Sequence, residues 1–183
     1  MILISLIMKK NHEVIVDMRG NERKSKDPVC GMMVNSGELS LEYLQMNFSF
    51  CSMQCRDRFV ENPRLYVGTP GSKSAKQRGE VLIKQRKINL SCPMPENSEQ
   101  DFRDALLAMM GVNEVLINGS TVIVSYDLLQ ATAAQIEEQF VQFGISLGDG
   151  WGDRLRRAWI DFVEEEQLAG MEVGSGLNRD GCH

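Results

Sequence analysis

Cys30, Cys51 and Cys55 follow one another as C-x20-C-x3-C near the front of a 183-residue chain. Ionised to thiolates, they are soft ligands that select Cu(I), Zn(II) or a similarly thiophilic ion over Mg or Ca. The step of four from Cys51 to Cys55 predicts one helix face, one turn apart. Phe59 continues that face, and Pro63 stops the helix. Cys30 lies between Asp27-Pro28-Val29 and Gly31, a turn-like setting that lifts a sulfur onto a knuckle. Residues 47–50 read as a strand delivering the chain to Cys51. A knuckle thiolate and two helix-borne thiolates can then converge on a single ion. Cysteine is also a common core residue. Here the other core candidates are only Phe48, Phe50 and Phe59, which favours ligation.

Three sulfurs leave the coordination number open. Structural zinc takes four closed ligands, whereas Cu(I) accepts three sulfurs, or two with a thioether. Met32, Met53, Cys92 and the terminal pair Cys182-His183 are the candidates for a fourth position. The chain has five cysteines, an odd count that argues against a secreted disulfide framework and for reduced thiols in a cytoplasmic protein.

The elements around these residues follow from composition and pattern. With 43% hydrophobic and 25% charged residues, collagen-like and wholly disordered readings are excluded. A net charge of −5 gives no electrostatic case for nucleic acid. Composition separates an N-terminal extension (1–26), a Cys- and Met-rich module (27–68) and a basic, breaker-rich flexible linker (69–80). A periodic α/β block (81–148), a C-terminal helix (151–170) and a Gly-rich tail (171–183) complete the chain. A module of about 45 residues or fewer buries little apolar surface, so a metal is expected to staple it.

In the α/β block, residues 81–90 read as a strand, broken by Pro93 and Pro95, with Glu96-Asn97-Ser98 supplying helix-capping chemistry. Phe102, Ala105, Leu106, Met109 and Met110 repeat at helical spacing up to Gly111. Val115-Leu116-Ile117, then Asn118-Gly119, then residues 121–126 form a hairpin pattern turning at Asn-Gly. Ala133, Ile136, Phe140 and Phe143 mark a second helix closed by Gly144, and residues 145–147 a short last strand. The order β-α-β-β-α-β predicts a ferredoxin-like sandwich with an added C-terminal helix, and the fold class is α+β. On that helix Leu155, Ala158, Trp159, Phe162 and Val163 make an apolar side read as core, with a partner-binding helix as the alternative, and Glu164-Glu165-Glu166 a solvated end.

Asp27-Pro28-Val29-Cys30-Gly31-Met32, Phe48-Ser49-Phe50-Cys51-Ser52-Met53-Gln54-Cys55, Phe59 and Asn62-Pro63-Arg64-Leu65-Tyr66 together resemble the YHS domain. That small cysteine module is related to the treble-clef-like TRASH domains and occurs in heavy-metal ATPases and metal-handling proteins. The resemblance implies a treble-clef-like fold over 27–68 and heavy-metal binding, with Cys30, Cys51 and Cys55 at the ligand positions. The family's histidine is absent, Gly37-Glu38-Leu39-Ser40 keeping only the serine, and Phe48-Ser49 replaces its paired tyrosines. The second block, with Gly111-Val112, Val124-Ser125-Tyr126-Asp127 and Gly144-Ile145, is similar to the heavy-metal-associated domain of copper chaperones and metal ATPases. That family's C-x-x-C would fall near residues 95–98, where no cysteine stands. Its metal site is expected to be lost, or replaced by a weaker one from Cys92 and Met94.

No phosphate-loop or dinucleotide glycine pattern is present, and His12 and His183 both lie near the termini, so a catalytic Ser-His or Cys-His pair does not assemble. Residues 1–8, MILISLIM, are too few to span a bilayer, and no membrane insertion is expected. The expectation is a cytoplasmic, non-catalytic protein that binds Cu(I) or Zn(II) and exchanges it with a heavy-metal transporting ATPase or another metal-handling protein. The alternative is an interaction protein holding a structural zinc.

Overall fold

The computed structural model describes residues 24–37, 39–148 and 150–174. Within them the architecture is α+β, with three small antiparallel sheets and four α-helices. Strand β1 (Lys24–Lys26) pairs with β2 (Met33–Asn35), and β3 (Ser40–Tyr43) with β4 (Met46–Ser49). Leu44 and Gln45, which join β3 to β4, have φ of 51° and 62°, the two left-handed positions of a type I′ turn without its usual glycine.

Helix α1 (Met53–Glu61) starts behind Ser52, whose hydroxyl accepts a hydrogen bond from the Cys55 amide. This cap corrects one expectation. Cys51 precedes the cap and lies outside the helix, and only Cys55 is helix-borne. A serine hydroxyl satisfies an otherwise unpaired amide, so the helix begins there rather than one residue earlier. Phe59, fully buried on α1, packs against Tyr43, Phe48, Phe50 and Tyr66 with ring centroids 4.9–5.9 Å away. The cysteine module therefore packs around an aromatic cluster.

Strand β5 (Ile83–Asn89), helix α2 (Glu96–Leu107), strands β6 (Val112–Asn118) and β7 (Thr121–Asp127), and helix α3 (Ala133–Gln142) follow in the expected sequence. The sheet has three strands in the order β5-β7-β6. The fourth strand expected at 145–147 contributes only a single antiparallel bridge between Leu90 and Leu147. Gly144 and Gly148 bracket three residues, too few to extend the ladder. The hairpin turn is also displaced by one residue. Asn118 pairs with Thr121, leaving Gly119-Ser120 as the loop, and Gly119 takes the positive φ (59°) that a II′ turn needs at its first central position. Helix α2 starts behind Pro95, which has no capping side chain, whereas Thr132 and Gln135 form a reciprocal capping box on α3.

Val122, Val124 and Tyr126 of β7, Phe102 and Leu106 of α2, and Ile136 and Phe140 of α3 are fully buried. Val29, Phe50, Cys55, Phe59, Leu65 and Tyr66 of the cysteine module join the same continuous core. The segment expected as a flexible linker, 69–80, is a strap with its own turn of 3-10 helix (Lys76–Arg78) and fully buried Ser74 and Ala75. Ser74 and Gln77 close it reciprocally, each amide donating to the other's side chain.

Helix α4 (Trp151–Gly174) extends past the expected boundary, so residues 171–174 are helical. Its orientation reverses the sequence reading. Leu155, Trp159 and Phe162 are 58%, 65% and 53% exposed, while Glu164 and Leu168 are buried. Glu164 accepts from Arg86 Nη2 (2.8 Å), from the Tyr126 hydroxyl and from the Ala133 amide (3.0 Å) at the start of α3. A guanidinium, a phenol and a helix N-terminus together hold the carboxylate inside and turn the Trp159 side outward. Among the described residues no helix is long and apolar enough to cross a membrane. Residues 1–8, Cys182 and His183 lie outside the described residues.

Candidate metal centre

Asp27, 1% exposed, organises the site. Its Oδ1 accepts from the amides of Val29 (2.8 Å) and Cys30 (3.3 Å), and its Oδ2 from the amide of Cys51 (2.8 Å). The same residue closes the loop through its backbone: its amide donates to the Met32 carbonyl (2.8 Å), and its carbonyl accepts from Gly31 (2.9 Å). Gly31 sits at φ 83°, which lets the chain reverse there. One carboxylate thereby ties the Cys30 knuckle to a segment 24 residues further along.

The sulfurs converge as the sequence reading required. Cys30 Sγ lies 3.4 Å from Cys51 Sγ, which lies 3.5 Å from Cys55 Sγ. These distances are far beyond the ~2.05 Å of a disulfide, and all three are free thiols. Tetrahedral Zn–S bonds of ~2.3 Å set sulfurs ~3.8 Å apart, so an ion fits after an outward shift of a few tenths of an ångström. The ligand atoms of Asp27, Cys30, Cys51 and Cys55 all lie within 4.8 Å of one another. The set is soft on three corners and suits a thiophilic ion. Cys55 is buried at the floor, while Cys30 and Cys51 are half-buried.

Burial pushes the Cys30 thiol from 9.0 up to about 12, with the Met32 amide opposing and Cys51 and Asp27 reinforcing. Burial also pushes the Cys55 thiol well up, aided by the Asp27 charge. Cys55 stands in the first turn of α1, where the helix dipole favours thiolate, but desolvation dominates. Both sulfurs hold their protons at neutral pH until an ion displaces them.

The fourth group in reach is Asp27, which sequence reasoning treated only as part of a turn. The Asp-Pro step ahead of Cys30 was the available signal, since Asp side chains bond the amides that follow them. The thioether-bearing residues Met32 and Met53 are about half exposed. Cys92 is exposed and stands apart from the cluster, and Met94 is buried in the core.

The centre is anchored to the second block. Gln54 Nε2 donates to the carbonyls of Met110 (2.8 Å) and Gln130 (3.2 Å). Arg58 Nη2 donates to the Leu128 carbonyl (3.2 Å), and the Tyr66 hydroxyl to the Leu129 carbonyl (2.6 Å). Cys55 thus rides on a helix fixed by residues far away in sequence.

The family model of the YHS domain matches residues 25–69, which takes in Asp27 and all three clustered cysteines. No curated protein and no solved structure matches the chain. The match stops before the second block, and the resemblance of that block to a heavy-metal-associated domain finds no support in the comparisons.

Proposed function

We propose that the YHS segment binds one thiophilic ion between Cys30, Cys51 and Cys55, with Cu(I) preferred over Zn(II). The chain would buffer that ion in the cytoplasm or hand it to a heavy-metal transporter, without catalysing a reaction. The observation that carries this reading is the run of three sulfurs at 3.4 and 3.5 Å around a buried carboxylate. Both Asp27 oxygens already accept backbone amides, so Asp27 serves as the frame and the sulfurs as the ligands. Three thiolates suit Cu(I), and a low-coordinate site lets an incoming thiol displace one ligand at a time. The half-buried Cys30 and Cys51 form the side from which a partner approaches. The second block acts as a ferredoxin-like, heavy-metal-associated-like scaffold whose own site is lost. The antiparallel bridge between Leu90 and Leu147 supports this reading.

A second reading rests on the proximity of Asp27 to all three sulfurs. If its carboxylate ligates, three sulfurs and one oxygen close a structural zinc site, and the chain is an interaction protein. Metal analysis of reduced, anaerobically purified protein separates the two. Copper that a Cu(I) chelator withdraws, at about one ion per chain, supports transfer. Tightly held zinc with no exchangeable copper supports the structural reading.

A further inference from the structure

Helix α4 has two apolar sides, and only one packs on the core. Leu155, Ala158, Trp159 and Phe162 are all exposed, and the Trp159 and Phe162 rings lie 6.1 Å apart. Their spacing of i, i+3, i+4 and i+7 is the seam of a helix that pairs with another helix. The charges along this exposed side, Arg154 and Arg156 flanking the seam and Glu166 continuing it one turn beyond Phe162, give the pairing a direction. Arg154 and Arg156 are exposed in the first half of α4, Glu165 and Glu166 in the second, and none of them makes an ion pair among the described residues. Within one helix this order is unfavourable, because cations crowd the positive end of the dipole and anions the negative end. Against an antiparallel copy of the same helix it becomes favourable, each basic half meeting an acidic half.

We propose that α4 pairs with α4 of a second copy of this chain, antiparallel, about a two-fold axis at the level of residue 160. Such an axis sets Ala158 opposite the second copy's Phe162, small against large, and Arg154 opposite the second copy's Glu166. The contact is self-complementary, as a two-fold interface must be, and the two helix dipoles cancel. With the axis at residue 160, α4 overlaps its copy over residues 151–169, ~28 Å, and a face ~10 Å wide covers ~280 Å² per copy. That is about a third of the ~800 Å² per partner of a standard interface, so the dimer is weak and reversible.

Sedimentation velocity of the full chain across the micromolar range tests this, with two charge-reversed variants. R154E/R156E makes both halves acidic, and E165R/E166R makes both basic. All four side chains are exposed, and unchanged far-UV circular dichroism checks that each variant folds. Wild type is expected to shift from monomer to dimer with concentration. Each variant alone is expected to self-associate at least about tenfold more weakly, and an equimolar mixture to regain the dimer with one chain of each kind. Trp159→Ala is expected to weaken the wild-type dimer by about tenfold or more. A wild type that stays monomeric throughout, variants that self-associate as well as wild type, or a mixture that does not associate would each overturn the proposal.

Discussion

Gln54 and Met110 lock together through both ends of one amide. Gln54 Nε2 donates to the Met110 carbonyl at 2.8 Å, and the Met110 amide donates to Gln54 Oε1 at 3.2 Å. The pair spans 56 residues and joins the turn of α1 that carries Cys55 to the turn after α2. Metal loading should therefore stabilise the whole chain. Both tryptophans lie on α4, outside the cysteine module in sequence, so their fluorescence follows the rest of the chain. Their denaturant midpoint is expected to rise when the ion binds, and Gln54→Ala to shrink that rise and cost about 1–2 kcal/mol. An ion that leaves the tryptophan midpoint unmoved would break the link.

Asp27→Ala removes the acceptor for three amides at once. Metal affinity is expected to fall about 10- to 100-fold, the size usual for residues that orient ligands without binding the ion. Chelator competition measures it. A loss as complete as that from removing a cysteine would mean that Asp27 is itself a ligand.

The raised thiols set a pH dependence whose sign follows directly. Cys30 and Cys55 are protonated below their folded pKa, so ion binding at neutral pH releases about two protons or more, and affinity climbs with pH. Without metal, these neutral thiols stabilise the fold fully below the ordinary thiol range. That contribution is lost as pH rises from 9.0 towards about 12, where the unfolded chain ionises first. Urea titrations of apo and loaded protein from neutral to alkaline pH should show the apo form weakening more steeply, because the raised Tyr66 and Tyr126 phenols weaken both forms alike.

Glu164→Leu strips Arg86, the Tyr126 hydroxyl and the Ala133 amide of a shared buried acceptor. The expected loss is about 3 kcal/mol, since a guanidinium is left inside without its partner. Chemical denaturation reads it directly, and a loss below about 1 kcal/mol would assign α4's docking to Leu168 and Met171 instead.

Much of this structure was legible because soft chemistry and turn chemistry are local. The spacing of Cys30, Cys51 and Cys55 announced one cluster, and Gly111, Gly119 and Gly144 punctuated the second block close to where the chain turns. What stayed hidden depends on contacts between distant segments. Ser52 outcompeted Cys51 for a place at the helix start, which periodicity cannot weigh. On α4 two apolar sides compete for the core, and the choice falls to Glu164, whose three donors come from β5, β7 and the start of α3. A carboxylate in a run of three reads as solvated until its partners are known. The strap over 69–80 likewise looks like a spacer because its fully buried residues, Ser74 and Ala75, are small.

X-ray absorption at the edge of the bound metal tests the central claim most directly. Protein loaded with Cu(I) under reducing conditions should show a first shell of about three sulfurs and no nitrogen or oxygen, and the Cys51→Ser, Cys55→Ser double variant should bind no ion under the same conditions. A first shell dominated by light atoms, or a double variant that loads as well as wild type, would contradict the account.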